Sequence, residues 1–550
     1  MARMPGCERL SSLDAMFLHI EDASAHMHVG GVFVCEGPPP SHGELLAHLA
    51  SRLDRVPRYR QRLSFVPLGL GRPAWVDDGG FELSHHVRRV GTAAPGVEAL
   101  EVAAAEIFSE PLDLRRPLWG IDLLEGVGVD RFALVSRSHH CLVDGFGGCD
   151  IVSAITDDVP ELAASSPVAS WAPRPEPPAA TRLAYALRDQ VARPLELLLD
   201  WARPSSEGRR MLHDLVQGLV PLAALGLQGR APASSLNSPI GPGRRYAMAS
   251  IDLAAVKRVR ALAGGTINDV LLSVVAGALR TLLHRRGVSQ LAPLLAFVPV
   301  NERPPGAQGC SGNHVSAVYC PLPVDEPDPV RRLRSVSAVM DRLKSQGQAT
   351  GVLIVRDLAE FTPPVLAASA ARLELAYRRF NVVVSNTRGP EAPRYLLGRR
   401  IRSFHPAIPL APGQTVSVGL LSYAGSIGVG LLGDAEEAGD LPLLARSVED
   451  SFEALAVQTG AAPGASGSAV RPVRDPPGPA TTRNRTAPRV RAAGQAPAAG
   501  GPVFPATGLS PSAVRSGRRP LHPGRSAAYP GPRRRLGPGP LPRRPRGAPR

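Results

Sequence analysis

A strand that ends in a paired histidine constrains the fold of this chain more than any other feature of its sequence. Residues 131–138, RFALVSRS, alternate between two faces as a β-strand does. His139 and His140 follow this strand, and Asp144 and Gly145 complete the pattern His-His-x-x-x-Asp-Gly. Glycine loosens the turn and lets backbone or substrate approach closely. The pattern therefore favours a general base at the end of a strand.

The alternation also predicts where each histidine points. Phe132 and Leu134 share one face of the strand, whereas Ala133 shares the other face with His139. A strand that continues to His140 puts this residue on the side of Phe132 and Leu134. Adjacent histidines that point apart are poor partners for one metal ion, and the sequence has no further cluster with ligand spacing. We predict no metal site.

Cys141, next to His140, offers a competing hypothesis, a nucleophilic thiol. Neighbours on a strand face opposite sides, so a small buried residue is the favoured interpretation. The doublet His85–His86 lacks the Asp-Gly that follows the first pair. We predict that it is a packing or surface pair.

Strand and helix patterns fill two stretches of the chain, which a proline-rich segment separates. We predict a first α/β domain over 1–160, a linker with helical segments over 161–240, a second α/β domain over 241–460 and a disordered tail over 461–550. Apolar spacing predicts helices at 14–18, 45–53, 101–108, 184–201, 209–227 and 270–283. The predicted strands lie at 28–35, 118–124, 131–140, 293–300, 315–320, 381–385, 415–423 and 428–432.

The tail carries the net charge of the protein. Residues 461–550 hold 17 arginines, no lysine and one acidic residue, a formal charge of +16. Because the whole chain carries +15, residues 1–460 are nearly neutral at about −1. The tail also holds 19 of the 57 prolines and few aliphatic residues, so it cannot offset the entropy of ordering. We predict an inert extension. Contact with anionic lipid is the alternative, and specific nucleic-acid binding is not expected, since only Phe504 and Tyr529 could stack on bases.

The spacing of the cysteines and the length of the apolar runs predict the cellular location of the protein. The six cysteines form neither a C-x-x-C pair nor a zinc spacing, and no secretory signal opens the chain, so we predict a reduced, cytoplasmic setting. The longest apolar run, 215–227, is interrupted by Gln217, Gly218 and Pro221. It falls short of the roughly 20 residues that cross a bilayer. We expect no transmembrane segment and only peripheral contact with a membrane.

Short motifs on both sides of the histidines form an ordered series. They comprise LSSLD (10–14), FL (17–18), MHVGG (27–31), PRYRQRL (57–63), GRPAWVD (71–77), PLD (111–113), PLW (117–119), ND (268–269), VPVNER (298–303), GN (312–313), SN (385–386), GP (389–390) and SYAG (422–425). Together with the histidine pattern, they resemble the bacterial wax ester synthase/diacylglycerol acyltransferase (WS/DGAT) family of the CoA-dependent acyltransferase superfamily. The resemblance spans residues 8–458, and many matches in order are more specific than any single one.

The resemblance implies a fold and a reaction. The fold is two chloramphenicol-acetyltransferase-like domains, each a mixed β-sheet with helices, and the active-site channel lies between them. The implied enzyme is an O-acyltransferase that moves a long-chain acyl group from acyl-CoA to diacylglycerol, giving triacylglycerol, or to a long-chain alcohol, giving a wax ester. No metal or prosthetic group is implied, because acyl-CoA is itself a substrate.

The resemblance also assigns roles within the histidine motif. His140 is the implied general base, since a neutral imidazole with a pKa near ~6.5 can take a hydroxyl proton at neutral pH. His139, Asp144 and Gly145 are implied to support the turn rather than to react.

Two flanking motifs are candidates for the substrate channel. The resemblance implies that Pro117, Leu118 and Trp119 shape the acyl channel, although a tryptophan at the start of a strand is also a common core residue. Asn268 and Asp269 form the second pair. Both are good N-cap residues, so capping of the following helix is the alternative.

The residues leave two other functions open. A condensation-type acyltransferase that uses carrier-protein thioesters shares the histidine pattern but is not expected to share the flanks. A non-catalytic lipid-surface protein of the same fold is the other, and the intact histidine motif argues against it. Segments 81–86 and 387–388 depart from the family pattern and put substrate fit in question. The expected partners are acyl-CoA, a lipid alcohol and the surface of a membrane or lipid droplet.

Overall fold

Two six-stranded mixed β-sheets, a three-stranded sheet and covering helices make up the fold. The computed structural model describes residues 7–142, 152, 154–161, 171–188, 230–301, 315–345 and 379–461. Mixed sheets with helices confirm the α/β fold class expected from the sequence. Of the predicted helix 184–201, residues 184–188 lie in a helical stretch over 179–188. The rest of it, the helix predicted at 209–227 and the tail after 461 lie outside the described residues.

In the first half of the chain, the helices and strands follow the apolar spacing of the sequence. They are β1 (Glu8–Arg9), α1 (Ser12–Ile20), β2 (His28–Glu36), α2 (His42–Ala50), β3 (Gln61–Ser64), β4 (Ala74–Asp77), β5 (Val87–Gly91), α3 (Val97–Ser109), β6 (Trp119–Gly128) and β7 (Arg131–His139). Single turns of 3₁₀ helix lie at Leu53–Arg55, Pro57–Arg60, Pro67–Gly69 and Leu83–His85. Side chains cap the first two helices: Ser11 Oγ accepts the Asp14 N–H at 3.0 Å, and Ser41 forms a capping box with Glu44.

The second half repeats the mixed pattern. Its elements are β8 (Arg244–Asp252), α4 (Leu253–Ala263), α5 (Ile267–Arg285), β9 (Leu294–Asn301), β10 (Val315–Leu322), α6 (Pro329–Ser345), β11 (Val382–Arg388), β12 (Tyr395–Leu396), β13 (Arg399–Ala407), β14 (Val416–Tyr423), β15 (Ser426–Asp434) and α7 (Leu441–Gln458). The sheet order is β10-β9-β11-β14-β15-β8, and β11 pairs in parallel with both of its neighbours. The main apolar core lies between this sheet and its helices.

Helix α5 is long and apolar enough to span a membrane by length and composition. However, 72% of its most apolar window is buried inside the protein. Its side chains contribute to the largest apolar cluster, together with those of the neighbouring strands. Among the described residues it alone passes this test, and its burial is that of a core helix.

Strand β7 divides the core of the first sheet into two faces. Phe132 and Leu134 pack in one apolar cluster with Trp119. Ala133 and Val135 pack in another, on the opposite face. The alternation predicted for this strand is therefore confirmed, and its last residue is His139.

A strand from the second half of the chain completes the first sheet. The order of this sheet is β12-β13-β2-β7-β6-β5, so that β13 lies beside β2. Phe404 of β13 is opposite Phe33 of β2, and the two rings stack with centroids 3.9 Å apart. The stack requires Gly31, because a Cβ there would lie 2.2 Å from Phe404 Cε2. This strand exchange joins segments that are far apart in the chain, so the spacing of apolar residues does not indicate it.

The exchanged strand also packs closely against β15. A Cβ on Gly430 would lie 1.7 Å from the Pro406 carbonyl oxygen, and one on Gly428 would lie 1.8 Å from the Phe404 carbonyl oxygen. Both obstacles are backbone atoms of β13. Glycine is therefore required at these two positions by the approach of the two strands.

We expect Gly430→Ala to destabilise the fold by about 1–3 kcal/mol, because the added methyl group overlaps backbone that cannot rotate away. Thermal or urea unfolding of the purified variant measures the change. Gly43→Ala in helix α2 is the control, since a Cβ there meets nothing within 4 Å. Equal stability of the two variants would contradict the close packing of β13 on β15.

Candidate active site

Backbone hydrogen bonds from two sides fix the end of β7. His139 N–H donates to the Leu118 carbonyl at 2.9 Å, and His140 N–H donates to the Met27 carbonyl at 2.8 Å. His139 also stands opposite His28, the first residue of β2. The two histidines are thus anchored between β2 and the segment that enters β6.

The ring of His140 stacks on Phe17. The ring centroids are 3.7 Å apart and the planes differ by 15°. Its Nδ1 is buried and has no hydrogen-bond partner among the described residues. Burial is the main cause that lowers the pKa of His140 to about 4, and the nearby His139 acts in the same direction. At neutral pH the imidazole is uncharged and can accept a proton.

His139 is held differently. Its Nδ1 accepts the Cys141 N–H at 3.1 Å, so the proton of a neutral ring lies on Nε2. Nε2 is 3.2 Å from Glu21 Oε2. His139 is completely buried. This geometry gives it a role in holding the turn, as the sequence analysis expected, rather than access to a substrate.

Glu21 is a site residue that the sequence analysis missed. It caps the C-terminus of α1, where its N–H donates to the Phe17 carbonyl at 3.1 Å. Its other carboxylate oxygen, Oε1, lies 3.8 Å from His28 Nε2. Burial and the neighbouring His139 keep the pKa of His28 well below its ordinary value. The four-residue spacing of Phe17 and Glu21 indicates only that their side chains are neighbours, because their approach to the histidines depends on tertiary packing.

Cys141 belongs to the core. It packs with Leu10, Ala15 and Leu118 in an apolar cluster. Burial raises the pKa of its thiol well above the ordinary value, so the reactive thiolate is disfavoured. Its Sγ lies 2.9 Å from His139 Nδ1 rather than beside His140. The interpretation as a small buried residue agrees with this environment.

The supporting residues Asp144 and Gly145 lie outside the described residues. Within the parts of the chain that the structure describes, no three His, Cys, Asp or Glu side chains are grouped to hold a metal ion.

The PLW motif sits directly beside the histidine strand. Leu118 supplies the carbonyl that anchors His139, as described above. Trp119 is buried, donates its Nε1–H to the Tyr59 carbonyl at 2.8 Å and stacks on His86 with centroids 4.7 Å apart. These contacts are those of a core tryptophan at the start of a strand. The role of Pro117, Leu118 and Trp119 in a substrate channel stays a prediction.

The ND motif lies inside the first turn of α5 rather than ahead of it, which corrects the predicted start of this helix at 270. Thr266 is the N-cap: its hydroxyl accepts the Asp269 N–H at 3.2 Å, and Asp269 Oδ2 accepts the Thr266 N–H at 2.8 Å. Asp269 therefore completes a capping box. Asn268 takes no part in the capping box. Its Oδ1 accepts a hydrogen bond from Asn386 Nδ2 at 3.2 Å. This hydrogen bond joins the ND motif to the SN motif, which lies far away in the sequence.

A cavity of about 810 Å³ has Glu21 in its wall. It separates the end of α1 and the following loop from three loops of the second half of the chain. Its walls are formed by Ile20, Glu21, Asp22, Ser24, Ala25, Asn237, Ser238, Pro239, Ile240, Arg379, Phe380, Pro412, Gly413 and Gln414. Its volume is in the range of ligand-binding cavities.

Comparison with known proteins assigns this chain to a family. Residues 10–271 match the wax ester synthase/diacylglycerol acyltransferase catalytic domain, and residues 311–456 match the WS/DGAT C-terminal domain. The probable diacylglycerol O-acyltransferase tgs1 of Mycobacterium tuberculosis is 33% identical over 454 residues, which cover 81% of this chain and 95% of the relative. The chain belongs to the WS/DGAT family. It is an acyltransferase.

Other relatives of this WS/DGAT chain agree. The probable diacylglycerol O-acyltransferase tgs2 of M. tuberculosis is 30% identical over 472 residues, or 81% of this chain and 98% of the relative. The solved structure of a wax ester synthase/diacylglycerol acyltransferase from Marinobacter aquaeolei VT8 superimposes with a TM-score of 0.60 at 25% identity, covering 82% of this chain and 99% of that one.

A condensation domain shows a more distant likeness to this WS/DGAT chain. The first condensation domain of the calcium-dependent antibiotic synthetase gives a TM-score of 0.52 at 16% identity, over 82% of this chain and 96% of that one. A likeness at this level concerns the fold alone. It confirms the chloramphenicol-acetyltransferase-like architecture and gives no support to the condensation-type alternative.

We expect Glu21→Gln to lower kcat about tenfold, because a charge-assisted contact to His139 would be replaced by a weaker neutral one. Steady-state assays of ester formation measure the change. Glu82→Gln is the matched control, since Glu82 faces the exposed His85 at 3.4 Å, outside the site. An unchanged kcat for Glu21→Gln would show that this carboxylate does not help to hold the motif.

Proposed function

We propose that this WS/DGAT enzyme transfers a long-chain acyl group from acyl-CoA to the hydroxyl of diacylglycerol or of a long-chain alcohol, with His140 as general base. The observation that carries the proposal is the His140 imidazole, stacked on Phe17 at the end of β7. Burial lowers its pKa to about 4, so the ring is expected to be neutral at pH 7. The names of the relatives support diacylglycerol and wax ester chemistry.

The reaction needs one group that moves a proton from the acceptor hydroxyl to the CoA thiolate. His140 takes the proton of the acceptor hydroxyl while the oxygen attacks the thioester carbonyl, and a tetrahedral oxyanion forms. Collapse of this intermediate breaks the C–S bond, forms the ester and releases the CoA thiolate. The imidazolium then returns its proton to the thiolate, so the base is regenerated. In this cycle acyl-CoA is a substrate, and no metal ion or prosthetic group takes part.

The setting of this reaction follows from its substrates. Both the acyl donor and the acceptor carry long apolar chains, so we place the enzyme in the cytoplasm at the surface of a membrane or of lipid inclusions. Among the residues that the structure describes, the helix apolar enough to cross a membrane is α5, and it is mostly buried in the core. Attachment is therefore proposed to be peripheral. A flotation assay with the purified protein and lipid droplets tests this location.

We expect His140→Ala to lower ester formation by about 10²–10⁴. The purified variant is incubated with labelled acyl-CoA and either diacylglycerol or hexadecanol, and the ester products are separated. His85→Ala is the control, because this histidine of the other doublet is exposed. Wild-type turnover by His140→Ala would rule out this mechanism, and acyl-CoA consumption without ester would favour a different acceptor.

The lowered pKa of His140 also predicts the pH dependence. The active base is the neutral form, which persists until the pH approaches about 4. We therefore expect kcat/KM to hold its neutral value down to about pH 5, below the acid limb of an ordinary histidine. Half-maximal activity near pH 6.5 would contradict the assignment.

Folding stability has to be separated from this profile. Burial lowers the pKa of both His140 and His405 to about 4, so the unfolded chain binds protons more readily than the folded one between about pH 4 and 6.5. Stability then falls as the pH falls through this window. Each sample is therefore also returned to pH 7.5, and only rates with full recovery enter the profile.

A further inference from the structure

Helix α4 presents a basic outer surface with an exposed leucine. Its inner side is apolar and belongs to the main core. Its outer side includes three exposed basic residues and one exposed apolar residue, which together we call the α4 face: Lys257, Arg258, Arg260 and Leu262. Leu262 is 62% exposed, and the helix itself contains no acidic residue. A positive surface that also offers an apolar side chain is suited to the interface of an anionic membrane.

Neighbouring carboxylates leave most of this positive charge in place. Asp252, the N-cap of α4, lies 3.8 Å from Arg258. Neither Lys257 nor Arg260 forms an ion pair among the described residues. Glu391 is within electrostatic range of Lys257, but its carboxylate is already hydrogen-bonded to another arginine. Because residues 1–460 are nearly neutral as a whole, the α4 face is a local positive region that calls for a negative partner.

The basic tail begins beside the α4 face. Helix α7 packs against α4, and the chain then reaches Ala461, which is 2% exposed. The Ala461 carbonyl accepts a hydrogen bond from Arg258 Nε at 3.4 Å. The tail over 461–550, with its formal charge of +16, therefore starts from a surface that is itself positive. Charge spread over so many residues complements a surface that carries many negative groups, as an anionic bilayer does.

The residue types favour lipid over nucleic acid. Single-stranded nucleic acids are bound by aromatic side chains that stack on the bases. The α4 face has no aromatic residue, and the tail has only Phe504 and Tyr529. Leu262, in contrast, offers an apolar side chain that can enter the boundary between headgroups and acyl chains.

The α4 face is connected directly to the ND motif. Gly264 and Gly265, with φ of 84° and 80°, turn the chain from the end of α4 to Thr266, the N-cap of α5. Asn268 in the first turn of α5 is hydrogen-bonded to Asn386. A membrane at the α4 face is therefore close to the end of α5 that carries a motif predicted to line the substrate channel.

We propose that the α4 face docks this enzyme on an anionic phospholipid bilayer, with Leu262 at the level of the headgroups and the basic tail adding charge. The inference rests on the proposed peripheral attachment and assigns it to a surface. Because the apolar side of α4 is occupied in the core, charge and one leucine hold the protein to the membrane. The attachment is therefore reversible and weakens as salt is added.

Leu262→Trp in the full-length protein tests the contact directly. The vesicles contain phosphatidylcholine and phosphatidylglycerol, and part of the phosphatidylcholine has brominated acyl chains, which quench tryptophan only at short range. Val129→Trp is the matched control, since Val129 is 90% exposed in the turn between β6 and β7. We expect the added fluorescence of Leu262→Trp to be quenched at least about twofold more strongly than that of Val129→Trp. Equal quenching would contradict the proposal.

The double variant Lys257→Glu/Arg260→Glu tests the charge. Arg258 is kept because it holds Ala461. Sedimentation with the same vesicles should show that partition to the membrane falls about tenfold at about 0.15 M salt. Arg245→Glu/Arg285→Glu is the control, because it makes the same change of charge at exposed residues. Arg245 is near the start of β8 and Arg285 ends α5, whereas α4 adjoins the opposite ends of these elements, so the control should change partition less than about twofold.

Several outcomes would overturn the proposal. Equal losses in the two double variants would mean that net charge alone matters, and unchanged partition of Lys257→Glu/Arg260→Glu would assign binding to the tail. Binding of a single-stranded RNA that this variant loses, without vesicle binding by the wild type, would assign the α4 face to nucleic acid. Thermal unfolding shows that each variant is folded, and Leu262→Trp decides the matter if the double variant is not. None of these assays requires ester formation. A wild-type protein that binds vesicles but forms no ester would refute the proposed function and leave the docking surface intact.

Discussion

The backbone pairing at the end of β7 is the constraint on which the site depends. The backbone of His139 is hydrogen-bonded to the segment before β6, and that of His140 to the segment before β2. Neither residue can move without breaking its backbone hydrogen bond. Because the main chain is fixed, the side chains around each imidazole ring determine its role. The Cys141 peptide donates to Nδ1 of His139, Glu21 lies 3.2 Å from its Nε2, and Phe17 supports the face of His140. Helix α1, which supplies both Phe17 and Glu21, therefore belongs to the site as much as the histidine motif does.

This arrangement differs from a triad in which a carboxylate orients the base directly. In a triad, the acidic partner stabilises the imidazolium that forms during the reaction. Here the carboxylate of Glu21 is engaged with His139, and His140 stays uncharged because burial disfavours its protonated form. The cost of this design is a less basic imidazole. Its benefit is that the base is in the correct protonation state over a wide range of pH.

Local features of this fold could be predicted from the sequence, and non-local ones could not. The alternation of apolar residues in β7 foretold both of its faces, because side chains on a strand alternate whatever else is nearby. The start of α5 was placed too late, since Thr266 rather than Asn268 or Asp269 is its N-cap. The partner of the Trp119 indole and the pairing of Asn268 with Asn386 depend on segments distant in the chain.

The first sheet is complete only when β13, from the second half of the chain, has paired with β2. Until residues 399–407 have been synthesised, β2 has one free edge, and β2 also carries the partner of the histidine strand. An exposed edge of this kind is a template for pairing with other chains. A chain still on the ribosome is therefore exposed to association through this edge until residue 407 has been synthesised. Completion of the sheet that carries the histidine strand therefore waits until about three-quarters of the 550 residues have been synthesised.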